Sequence, residues 1–491
     1  MAVNGERADA VIVGARCAGS ATAVALARAG RKVIAVDSAR FPSPVVSTHL
    51  LWPGGLAELA GIGALERVEA LGAPRLPVAA VAVPGITASG RYSPVGGVDY
   101  AMCVRRTGLD LALVETAREA GAEVREGARV VGLLRAGGGG GGSDKGDGSD
   151  KGDGSDRDGR VTGVVVRERD GRTYEIHSPV VVGADGRRST VARLAGAGPP
   201  YLSGPDGRAC YYAYFDDPHP ELRPVAAQWR QGRELGTAFP CDGDLTLVLL
   251  MPPDSRAGDF RGDPGREYDR TIAELLPGLH ARLAGCTRRS KVFGAAHLES
   301  FFRRSAGPGW ALAGDSGHFK DPVTAQGIRD AVRFGRLLGE TLAEAIGAGA
   351  DDAAVDRAVA AWQRRRDREC LETFHWTARM GRADPVGPLD VEMHRALRAD
   401  PALMTAFLDV YSRTVRPGQA LTLRRLAGWT ARALLRPGTD RYGLLRYVGV
   451  TIRELRSERH TTARLLNGTS PAGPLRGPPE AGSPEGFPAD R

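Results

Sequence analysis

Lysine is scarce in this sequence: only five of its 66 basic residues are lysines, so arginine carries most of the formal net charge of +8. The basic residues are spread along the chain rather than gathered into one block. No zinc-finger or ribonucleoprotein motif accompanies them. We therefore expect no nucleic-acid partner.

Long hydrophobic runs and paired cysteines are also absent. No uninterrupted apolar stretch reaches the roughly 18 residues of a membrane-spanning helix, so we expect no transmembrane segment. The N-terminal sequence MAVNGERADAVIVG lacks a basic flank followed by an apolar signal core. The six cysteines form no C-x-x-C pair and have no metal-ligand spacing to a histidine. These absences predict a cytoplasmic chain with free thiols and no metal site.

The overall composition is that of an ordinary globular protein, with 42% hydrophobic and 25% charged residues. At roughly 150 residues per domain, a chain of 491 residues predicts two to four packed units. Size and composition therefore favour a multidomain enzyme, without indicating its oligomeric state.

The stretch AVIVGARCAGS at residues 10–20 follows the G-x-G-x-x-G dinucleotide fingerprint except at its middle glycine. Gly14 permits the tight turn and Gly19 lets the helix approach the strand, while Arg16 replaces the glycine expected nearest a pyrophosphate. A helical pattern follows, and the strand KVIAVD then delivers Asp37, an acid suited to ribose hydroxyls. We expect the Arg16 side chain to turn away from the steric contact, where it is free to add positive charge nearby.

Two later strand-to-loop segments carry further acidic motifs. The apolar strand in VVVGADGRRSTVAR delivers Asp185 and Gly186 just before a helix start. The strand in WALAGDSGHFKDPVTAQGIRD delivers Gly314 and Asp315, and its loop 322–327 opens a long helix. These segments are weighed together with the fingerprint as three parts of one chemical pattern.

The rest of the chain divides into regions of different character. Strand-length runs separated by Pro, Gly and Asp over residues 208–252 predict an antiparallel sheet. Residues 353–456 have a helical pattern almost throughout. The glycine- and aspartate-rich tract 137–158 predicts a flexible loop, with calcium binding by its aspartates as the alternative. The proline-rich tail 467–491 predicts disorder.

The motifs, taken in order over residues 8–350, resemble the class A FAD-dependent monooxygenases, the flavoprotein aromatic hydroxylases typified by para-hydroxybenzoate hydroxylase. More closely, the segments GARCAG, STH, RRTGLD and GDSGHFKDPVTAQGI resemble a bacterial subgroup of FAD-dependent oxidoreductases. The W-x-W-x-I motif of the related flavin-dependent halogenases is not found. The run GTAFP is only faintly similar to a motif of geranylgeranyl reductases, which share the architecture.

The resemblance implies a role for each matching residue. The group that lines the pyrophosphate turn and reaches the adenosine ribose is Gly14, Ala15, Arg16, Gly19 and Asp37. Arg106 would approach the FAD phosphates, and Asp185 with Gly186 would serve both FAD and NAD(P)H. Asp315 would hold the ribityl chain, while backbone amides at the following helix N-terminus would face the flavin pyrimidine edge. The residues of that last segment are Gly314, Asp315, Pro322, Thr324, Ala325, Gln326 and Gly327.

The resemblance also implies the architecture. We expect an α/β (α+β) protein with a Rossmann-like FAD-binding domain, an inserted antiparallel β-sheet substrate domain and a helical C-terminal region. The predicted FAD-binding segments are 8–84, 101–195 and 299–350. The predicted substrate domain is 196–298, and the predicted helical region is 351–466.

The activity implied by the resemblance is monooxygenation. NAD(P)H would reduce the flavin, molecular oxygen would add at flavin C4a, and the resulting (hydro)peroxide would transfer one oxygen atom. The substrate would be a hydrophobic small molecule, for example an aromatic or polyketide-like one. Two alternatives stay open: an FAD-dependent reductase or dehydrogenase of the geranylgeranyl-reductase type, and a non-catalytic flavin-binding protein.

His49 and His318 are the histidines nearest to the flavin-binding motifs and are the catalytic candidates. His318 is either a proton relay near the flavin or a loop histidine that packs the cofactor rim. His49 is either a flavin or substrate contact or a packing side chain of the same kind. Lys320 either points into the pocket or is solvated. The family has glycine at the positions of Arg16 and Ala325, and an arginine is common where this chain has STHLLWPGG. These departures bear on NAD(P)H use and flavin mobility more than on FAD binding.

Five aromatic residues in the predicted sheet are either core residues or a cover for a planar substrate. They are Tyr211, Tyr212, Tyr214, Phe215 and Trp229. Near the C-terminus, LTLRRLAGWTARALLRPGTDRYGLLRYVGVTIRELR is basic and amphipathic. Such helices pack onto the catalytic domain or bind a membrane surface or a partner.

Overall fold

The computed structural model describes residues 5–137, 159–204 and 207–467. Apart from residues 137 and 467, the predicted loop 137–158 and the predicted tail 467–491 lie outside the described residues. The α-helices are α1 (Cys17–Arg28), α2 (Pro53–Gly61), α3 (Leu65–Glu69), α4 (Arg106–Glu119), α5 (Thr190–Leu194), α6 (Pro264–Arg270), α7 (Pro277–Arg282), α8 (Gly327–Gly347), α9 (Asp352–Gly381), α10 (Pro388–Ala399), α11 (Pro401–Ser412), α12 (Pro417–Ala420), α13 (Leu423–Leu434) and α14 (Arg441–Leu466).

A six-stranded sheet, parallel except for its first strand, forms the centre of the nucleotide-binding domain. Its spatial order is Ala306–Gly307, Trp310–Leu312, Val181–Gly183, Ala10–Val13, Val33–Asp37 and Glu123–Glu126. Side chains alternate across it: Ile12 packs with the helices on one face, and Val11 and Val13 pack on the other. A sheet covered on both faces explains why the strands read as continuous apolar runs.

Helices and a smaller sheet cover the two faces. The four-stranded sheet on one side has the order Glu6–Arg7, Thr173–His177, Val161–Arg167 and Arg129–Arg135. On the other side α1 packs so closely against α8 that a Cβ at Gly335 would lie 2.4 Å from the Ala18 carbonyl oxygen. This contact packs the start of α1 against the middle of α8.

A second, mixed sheet forms the substrate domain. Its order is Thr287–Arg288, Cys210–Asp216, Leu245–Leu250, Glu234–Pro240, Val225–Gln231, Val78–Val83 and Ile86–Arg91, with Phe293–Ala295 also paired to Cys210–Asp216. Val78–Val83 pairs in parallel with Val225–Gln231, and the other pairings are antiparallel. The predicted first segment, 8–84, therefore ends inside a hairpin that belongs to this second sheet.

Two short sheets complete the strands. One has the order Leu202–Ser203, Phe301–Phe302 and His318–Phe319, and the other pairs Leu50–Leu51 with Met102–Cys103. The helical segment that follows the strand Leu245–Leu250 of the second sheet is interrupted, because Pro277 begins a new helix, α7, after a π-helical turn over Thr271–Leu275.

The C-terminal helices pack over the hairpin of the second sheet. A Cβ at Gly90 would lie 2.6 Å from the Met404 side chain, so α11 lies directly on the strand Ile86–Arg91. The long helix α14 is tied to the end of α9 by an ion pair between Arg382 and Glu454, 2.6 Å apart. None of the helices in the described part of the chain is both long and apolar enough to cross a membrane.

Candidate functional site

The fingerprint turn requires its two glycines. Gly14 has φ +97°, and a Cβ there would lie 2.5 Å from the Ala184 carbonyl oxygen. A Cβ at Gly19 would lie 1.8 Å from the Gly14 carbonyl oxygen. Within the described residues no side chain caps the N-terminus of α1, so its first amides are available to a phosphate.

Arg16 occupies the position of the missing glycine with an extended backbone, φ −84° and ψ −160°. Its guanidinium is ion-paired with the buried Asp110 carboxylate and donates to Ser43 Oγ at 2.6 Å. Arg106, one turn before Asp110 on α4, donates to the same carboxylate at 2.7 Å. Arg16 and Arg106 thus share one carboxylate, and the expectation that Arg16 adds positive charge near the turn stays a prediction. Arg106 remains the predicted phosphate contact.

Asp37 ends its strand beside this turn and is buried. One carboxylate oxygen accepts the Ala15 amide at 2.8 Å, and the other accepts the Ala39 amide at 2.8 Å. The side chain therefore fixes the backbone of the fingerprint turn, and its ribose contact stays a prediction.

The Asp-Gly and Gly-Asp segments are joined through Ser316. The Asp185 carboxylate accepts from Ser189 Oγ at 2.5 Å and from Ser316 Oγ at 3.3 Å. The Gly186 amide donates to Ser316 Oγ at 3.0 Å. Sequence reasoning did not single out Ser316, although a serine directly after the strand-end acid, Asp315, is the available signal.

Gly314 connects the Gly-Asp segment to the fingerprint. Its φ is +60°, and a Cβ there would lie 2.8 Å from the Ala18 methyl group of α1. The next residue, Asp315, is half-buried. Burial raises the pKa of the Asp315 carboxyl, while the positive charges of Arg106 and Lys320 oppose that shift. The structure thus brings Asp315 and Arg106 into one electrostatic environment, as expected for residues around a single cofactor.

The loop from Pro322 to Gly327 leads into α8 and contains one strained residue. Ala325 has left-handed backbone angles, φ 50° and ψ 41°, which explains why the family has glycine at this position. Among the described residues no acceptor bonds the amides of Thr324, Gln326 and Gly327. These amides stand at the N-terminus of a 21-residue helix, where a partial negative charge is stabilised.

The side chains of this loop anchor it to other parts of the molecule. Gln326 Nε2 donates to the Val410 carbonyl at 3.1 Å, and Thr324 Oγ1 lies 3.2 Å from Thr377 Oγ1. The Trp52 indole donates to the Thr324 carbonyl at 2.9 Å. The C-terminal helices therefore hold the loop in place.

Asp321 is a further anchor that sequence reasoning missed. Its carboxylate caps the loop by accepting the Val323 amide at 2.9 Å and accepts the Arg208 amide of the substrate domain at 3.0 Å. Burial raises the pKa of this carboxyl to about 6. An aspartate directly before a proline is a recognised cap signal, so the pattern Asp321-Pro322 was the clue.

His318 lies within the core rather than in an open pocket. Its ring stacks on Phe302, with centroids 5.1 Å apart, and meets Phe334 edge-on. Its Nε2 lies 3.8 Å from the Asp330 carboxylate. Burial lowers the pKa of His318 to about 3, so the ring is neutral at physiological pH. His318 thus packs in the core, while a relay role and a contact with the cofactor rim both stay predictions.

Asp330 is the centre of a buried charged cluster beside His318. Lys320 is buried and ion-paired with it, so the alternative of a solvated Lys320 is wrong. Arg329 pairs with the same carboxylate at 2.9 Å. Although burial opposes ionisation, the charges of Arg413 and Lys320 hold the pKa of Asp330 well below its usual range.

His49 lies between the nucleotide-binding domain and the second sheet. It is buried, has φ 61°, and its Nδ1 lies 2.7 Å from the Ser47 carbonyl oxygen. A carbonyl can only accept, so Nδ1 carries the proton and Nε2 accepts from the Tyr214 hydroxyl at 3.1 Å. Burial, followed by the charge of Arg106, lowers the pKa of His49 to about 3.

The five aromatic residues of the second sheet divide by strand alternation. Tyr212 and Tyr214 face His49, and Tyr212 stacks on Phe293 with centroids 5.2 Å apart. On the opposite face are three core residues, packed against α6, α7 and the residues around them: Tyr211, Phe215 and Trp229. Two of the five therefore line the interface with the nucleotide-binding domain, and three are core.

The residues present fit a flavin dinucleotide. Gly14 and Gly19 permit the tightly packed turn that leads into the uncapped start of α1, and unbonded amides occupy the start of α8. Both helix ends favour the negative groups of such a cofactor. The fold and these two loops define a two-domain flavoprotein with a Rossmann-like FAD-binding domain.

The chain belongs to the FAD binding domain family, whose family model matches residues 7–151 and 152–368. It is an FAD-dependent oxidoreductase, so the alternative of a non-catalytic flavin-binding protein is not supported. Helices α10 to α14 lie outside the matched residues. The narrower subgroup defined by GARCAG stays a prediction.

Curated relatives include reductases of lipids and quinones. A digeranylgeranylglycerophospholipid reductase of Methanosarcina mazei is 27% identical over 260 residues, which cover 52% of this chain and 56% of that protein. A menaquinone reductase of Mycolicibacterium smegmatis is 28% identical over 360 residues, which cover 68% of this chain and 76% of that protein.

Solved structures show the same fold at low sequence identity. A flavoprotein/dehydrogenase from Cytophaga hutchinsonii has a TM-score of 0.68 at 18% identity, covering 87% of this chain and 98% of its own. A probable FAD-dependent monooxygenase from Pseudomonas aeruginosa has a TM-score of 0.59 at 21% identity, covering 82% and 100%. These likenesses confirm the predicted architecture.

Proposed function

We propose that this chain is a monooxygenase that uses FAD, NAD(P)H and molecular oxygen to oxygenate a hydrophobic small molecule. When bound, FAD would accept electrons from NAD(P)H and activate molecular oxygen. We propose the predicted cofactor residues, from Gly14 to Gly327, as its binding set. The cytoplasm remains the proposed location.

The observation that carries this proposal is the neutral wall beside Arg106, formed by His49, Tyr212, Tyr214 and Phe293. Its aromatic rings suit a hydrophobic substrate and exclude water, which protects oxygen transfer from side reactions. Burial keeps His49 unprotonated and raises the pKa of the Tyr214 hydroxyl. The His49 ring and the Tyr214 hydroxyl are therefore both uncharged at neutral pH, which suits a hydrophobic substrate.

The protein's own side chains position the substrate, and they hold a proton at a defined atom, Nδ1 of His49. The Ser47 carbonyl fixes the tautomer of His49, and His49 Nε2 in turn orients the hydroxyl of Tyr214. We propose that this pair contacts the substrate. Tyr214→Phe should raise KM for a phenolic or carbonyl substrate while leaving the FAD content unchanged, because the ring and its packing remain.

An arginine-lined groove beside the Asp-Gly segment supports a phosphate-bearing electron donor. Its arginines are Arg187, Arg188, Arg193, Arg303 and Arg304. Within the described residues, none of them is ion-paired with a carboxylate, unlike Arg16 or Arg106. Guanidinium groups without a carboxylate partner suit NAD(P)H phosphates. Arg193→Ser and Arg304→Ser should raise KM for NADPH or NADH, and Arg91→Ser, on an exposed strand end, serves as the control.

Oxygen dependence tests the reaction. Purified FAD-loaded protein is given NADPH or NADH and a panel of hydrophobic probes, including 4-hydroxybenzoate, menaquinone and geranylgeraniol. The proposal predicts probe-stimulated NAD(P)H oxidation that requires oxygen, with oxygen-18 from the gas found in the product. Turnover of a probe without oxygen would overturn it.

The second candidate is an FAD-dependent reductase of a polyunsaturated lipid or quinone. The relatives from Methanosarcina mazei and Mycolicibacterium smegmatis, which are reductases of this kind, favour it. Under this candidate, menaquinone or geranylgeraniol is hydrogenated anaerobically by reduced enzyme, and the product gains hydrogen without oxygen. The same assay therefore separates the two candidates.

A further inference from the structure

The helices α13 and α14 meet at a corner that carries most of the exposed large hydrophobic side chains of the described residues. Leu435 is 82% exposed, Tyr442 is 80% exposed and Leu445 is 54% exposed. Leu423 and Tyr447 on the same helices are also exposed. Among the described residues, the other exposed large hydrophobic side chain is Val46, which lies outside these helices. We call residues 423–447 the α13–α14 corner.

The apolar side chains of this corner form a continuous stripe on α13. Leu423, Ala427, Ala431 and Leu435 follow one another at intervals of four residues, and each is exposed. Residues with this spacing share one face of a helix. A short turn separates Leu435 from α14, whose first turn carries the exposed Tyr442.

The corner is also strongly positive. Asp440 is the sole carboxylate between residues 421 and 450, and it is occupied in capping α14 through the Gly443 amide at 2.9 Å. Six arginines lie in the same stretch: Arg424, Arg425, Arg432, Arg436, Arg441 and Arg446. Arg432 and Arg436 share Glu392, whereas Arg424 and Arg446 make no ion pair with any described residue.

We propose that the α13–α14 corner docks on the surface of an anionic phospholipid bilayer. Leu435, Tyr442 and Leu445 would enter the interfacial region while the arginines contact lipid phosphates. Exposed apolar residues bordered by arginines match such a surface in both shape and charge, and tyrosine is favoured at the interface. The proposal concerns helices outside the family-matched residues, so it stands independently of the reaction catalysed.

Charge complementarity also argues against a second copy of the chain as the occupant. A symmetric contact would place this patch against itself and bring arginines together without carboxylates to neutralise them. The segment 468–491 follows α14, but it contributes few large apolar side chains beyond Leu475 and Phe487. An anionic bilayer is therefore the occupant that the charge and apolar pattern favour.

Vesicle co-sedimentation of the full-length, FAD-loaded protein tests the proposal. Vesicles of phosphatidylcholine alone are compared with vesicles of equal parts phosphatidylcholine and phosphatidylglycerol, at low and at high salt. We expect binding to the anionic vesicles only, weakened by salt. The double variant Arg424→Ser, Arg446→Ser should lose about thirtyfold in affinity, at roughly one kilocalorie per mole for each arginine. The variant Leu435→Ser, Tyr442→Ser should lose tenfold or more, on the order expected for two buried apolar side chains.

A matched control variant and a measurement of the oligomeric state show whether a loss of vesicle binding comes from the α13–α14 corner itself. Val46→Ser with Arg91→Ser removes one exposed apolar and one exposed basic side chain elsewhere and should leave binding unchanged. All variants alter exposed side chains, so FAD content and circular dichroism should match the parent. Equal binding to both vesicle types, or unchanged binding by the corner variants, would overturn the proposal. It would also fail if the corner variants dissociated a dimer, or if only a chain lacking residues 468–491 bound vesicles.

Discussion

Arg16, which stands where the dinucleotide fingerprint has its middle glycine, is ion-paired with the buried carboxylate of Asp110. The backbone of Arg16 is extended, so this position does not need glycine for conformational reasons. Its guanidinium also lies over the Phe41 ring, 5.2 Å from the centroid. The side chain therefore turns toward α4, and the departure from the fingerprint leaves the turn itself intact.

The fingerprint glycines and Arg16 should respond differently to substitution. Gly14→Val should abolish FAD binding, because its side chain would collide with the Ala184 carbonyl and its φ of +97° disfavours any other residue. Arg16→Gly should retain FAD, since no contact of the turn depends on the arginine. The measurement is the ratio of flavin to protein, read from the visible spectrum after desalting.

Circular dichroism supplies the control, because a Gly14→Val chain that loses FAD while remaining folded separates binding from folding. Normal FAD content in Gly14→Val would show that the pyrophosphate lies elsewhere. Loss of FAD in folded Arg16→Gly would show that the Arg16 charge is needed for the cofactor.

The carboxylate of Asp110 should matter more to stability than either of its partners. Asp110→Asn leaves the guanidinium groups of Arg16 and Arg106 without a negative partner, a change that costs ~3–5 kcal/mol for buried pairs. Arg16→Met should cost about 1 kcal/mol, because Asp110 keeps Arg106 and Arg16 is partly exposed. Urea denaturation of the three proteins measures both values, and equal losses for the two variants would contradict the shared-carboxylate arrangement.

The nucleotide-binding motifs could be predicted from sequence because their signals are local. Gly14, Asp37, Asp185 and Asp315 each follow a short apolar strand, and such strands align their ends at one sheet edge. The structure places these residues at strand ends of the six-stranded sheet or directly after them. The pairing of Arg106 with Asp110 also has a local signal, because residues four positions apart on a helix lie side by side.

Long-range partners could not be predicted in this way. Val78–Val83 pairs in parallel with Val225–Gln231, far along the chain, and nothing in either segment specifies the other. The hydrogen bond from Gln326 to the Val410 carbonyl likewise cannot be predicted from sequence, because every residue has a backbone carbonyl and the sequence does not indicate which one accepts. The supporting role of the C-terminal helices therefore emerges only in three dimensions.

Replacing Ala325 with glycine should stabilise the folded protein. Its left-handed backbone angles cost about 1–2 kcal/mol for an alanine, and glycine adopts them without that penalty. After the extra chain entropy that glycine loses on folding, Ala325→Gly should gain about 1 kcal/mol in the free energy of unfolding. Ala361→Gly, at an exposed position within α9, is the matched control and should lose about 1 kcal/mol. A loss in both variants would show that Ala325 is unstrained.

Buried histidines should make this protein sensitive to mild acid. His318 has a pKa of about 3 in the folded protein, well below its ordinary value of about 6.5. The unfolded chain therefore binds a proton below about pH 6.5 that the folded chain does not, so the contribution of His318 is lost as the pH falls. The same direction holds for His49, His375 and His394, whose pKa values burial also lowers.

His318→Phe isolates the contribution of one histidine, because phenylalanine keeps a ring between Phe302 and Phe334 and cannot be protonated. The difference in the free energy of unfolding between parent and variant at pH 7 is the reference. On moving to pH 5 the parent should lose about 2 kcal/mol that the variant keeps, so the stability of the parent relative to the variant falls by that amount. Urea unfolding of both proteins at the two pH values measures this change. A difference that stays constant would mean that His318 is protonated in the folded state and that its ring is open to water.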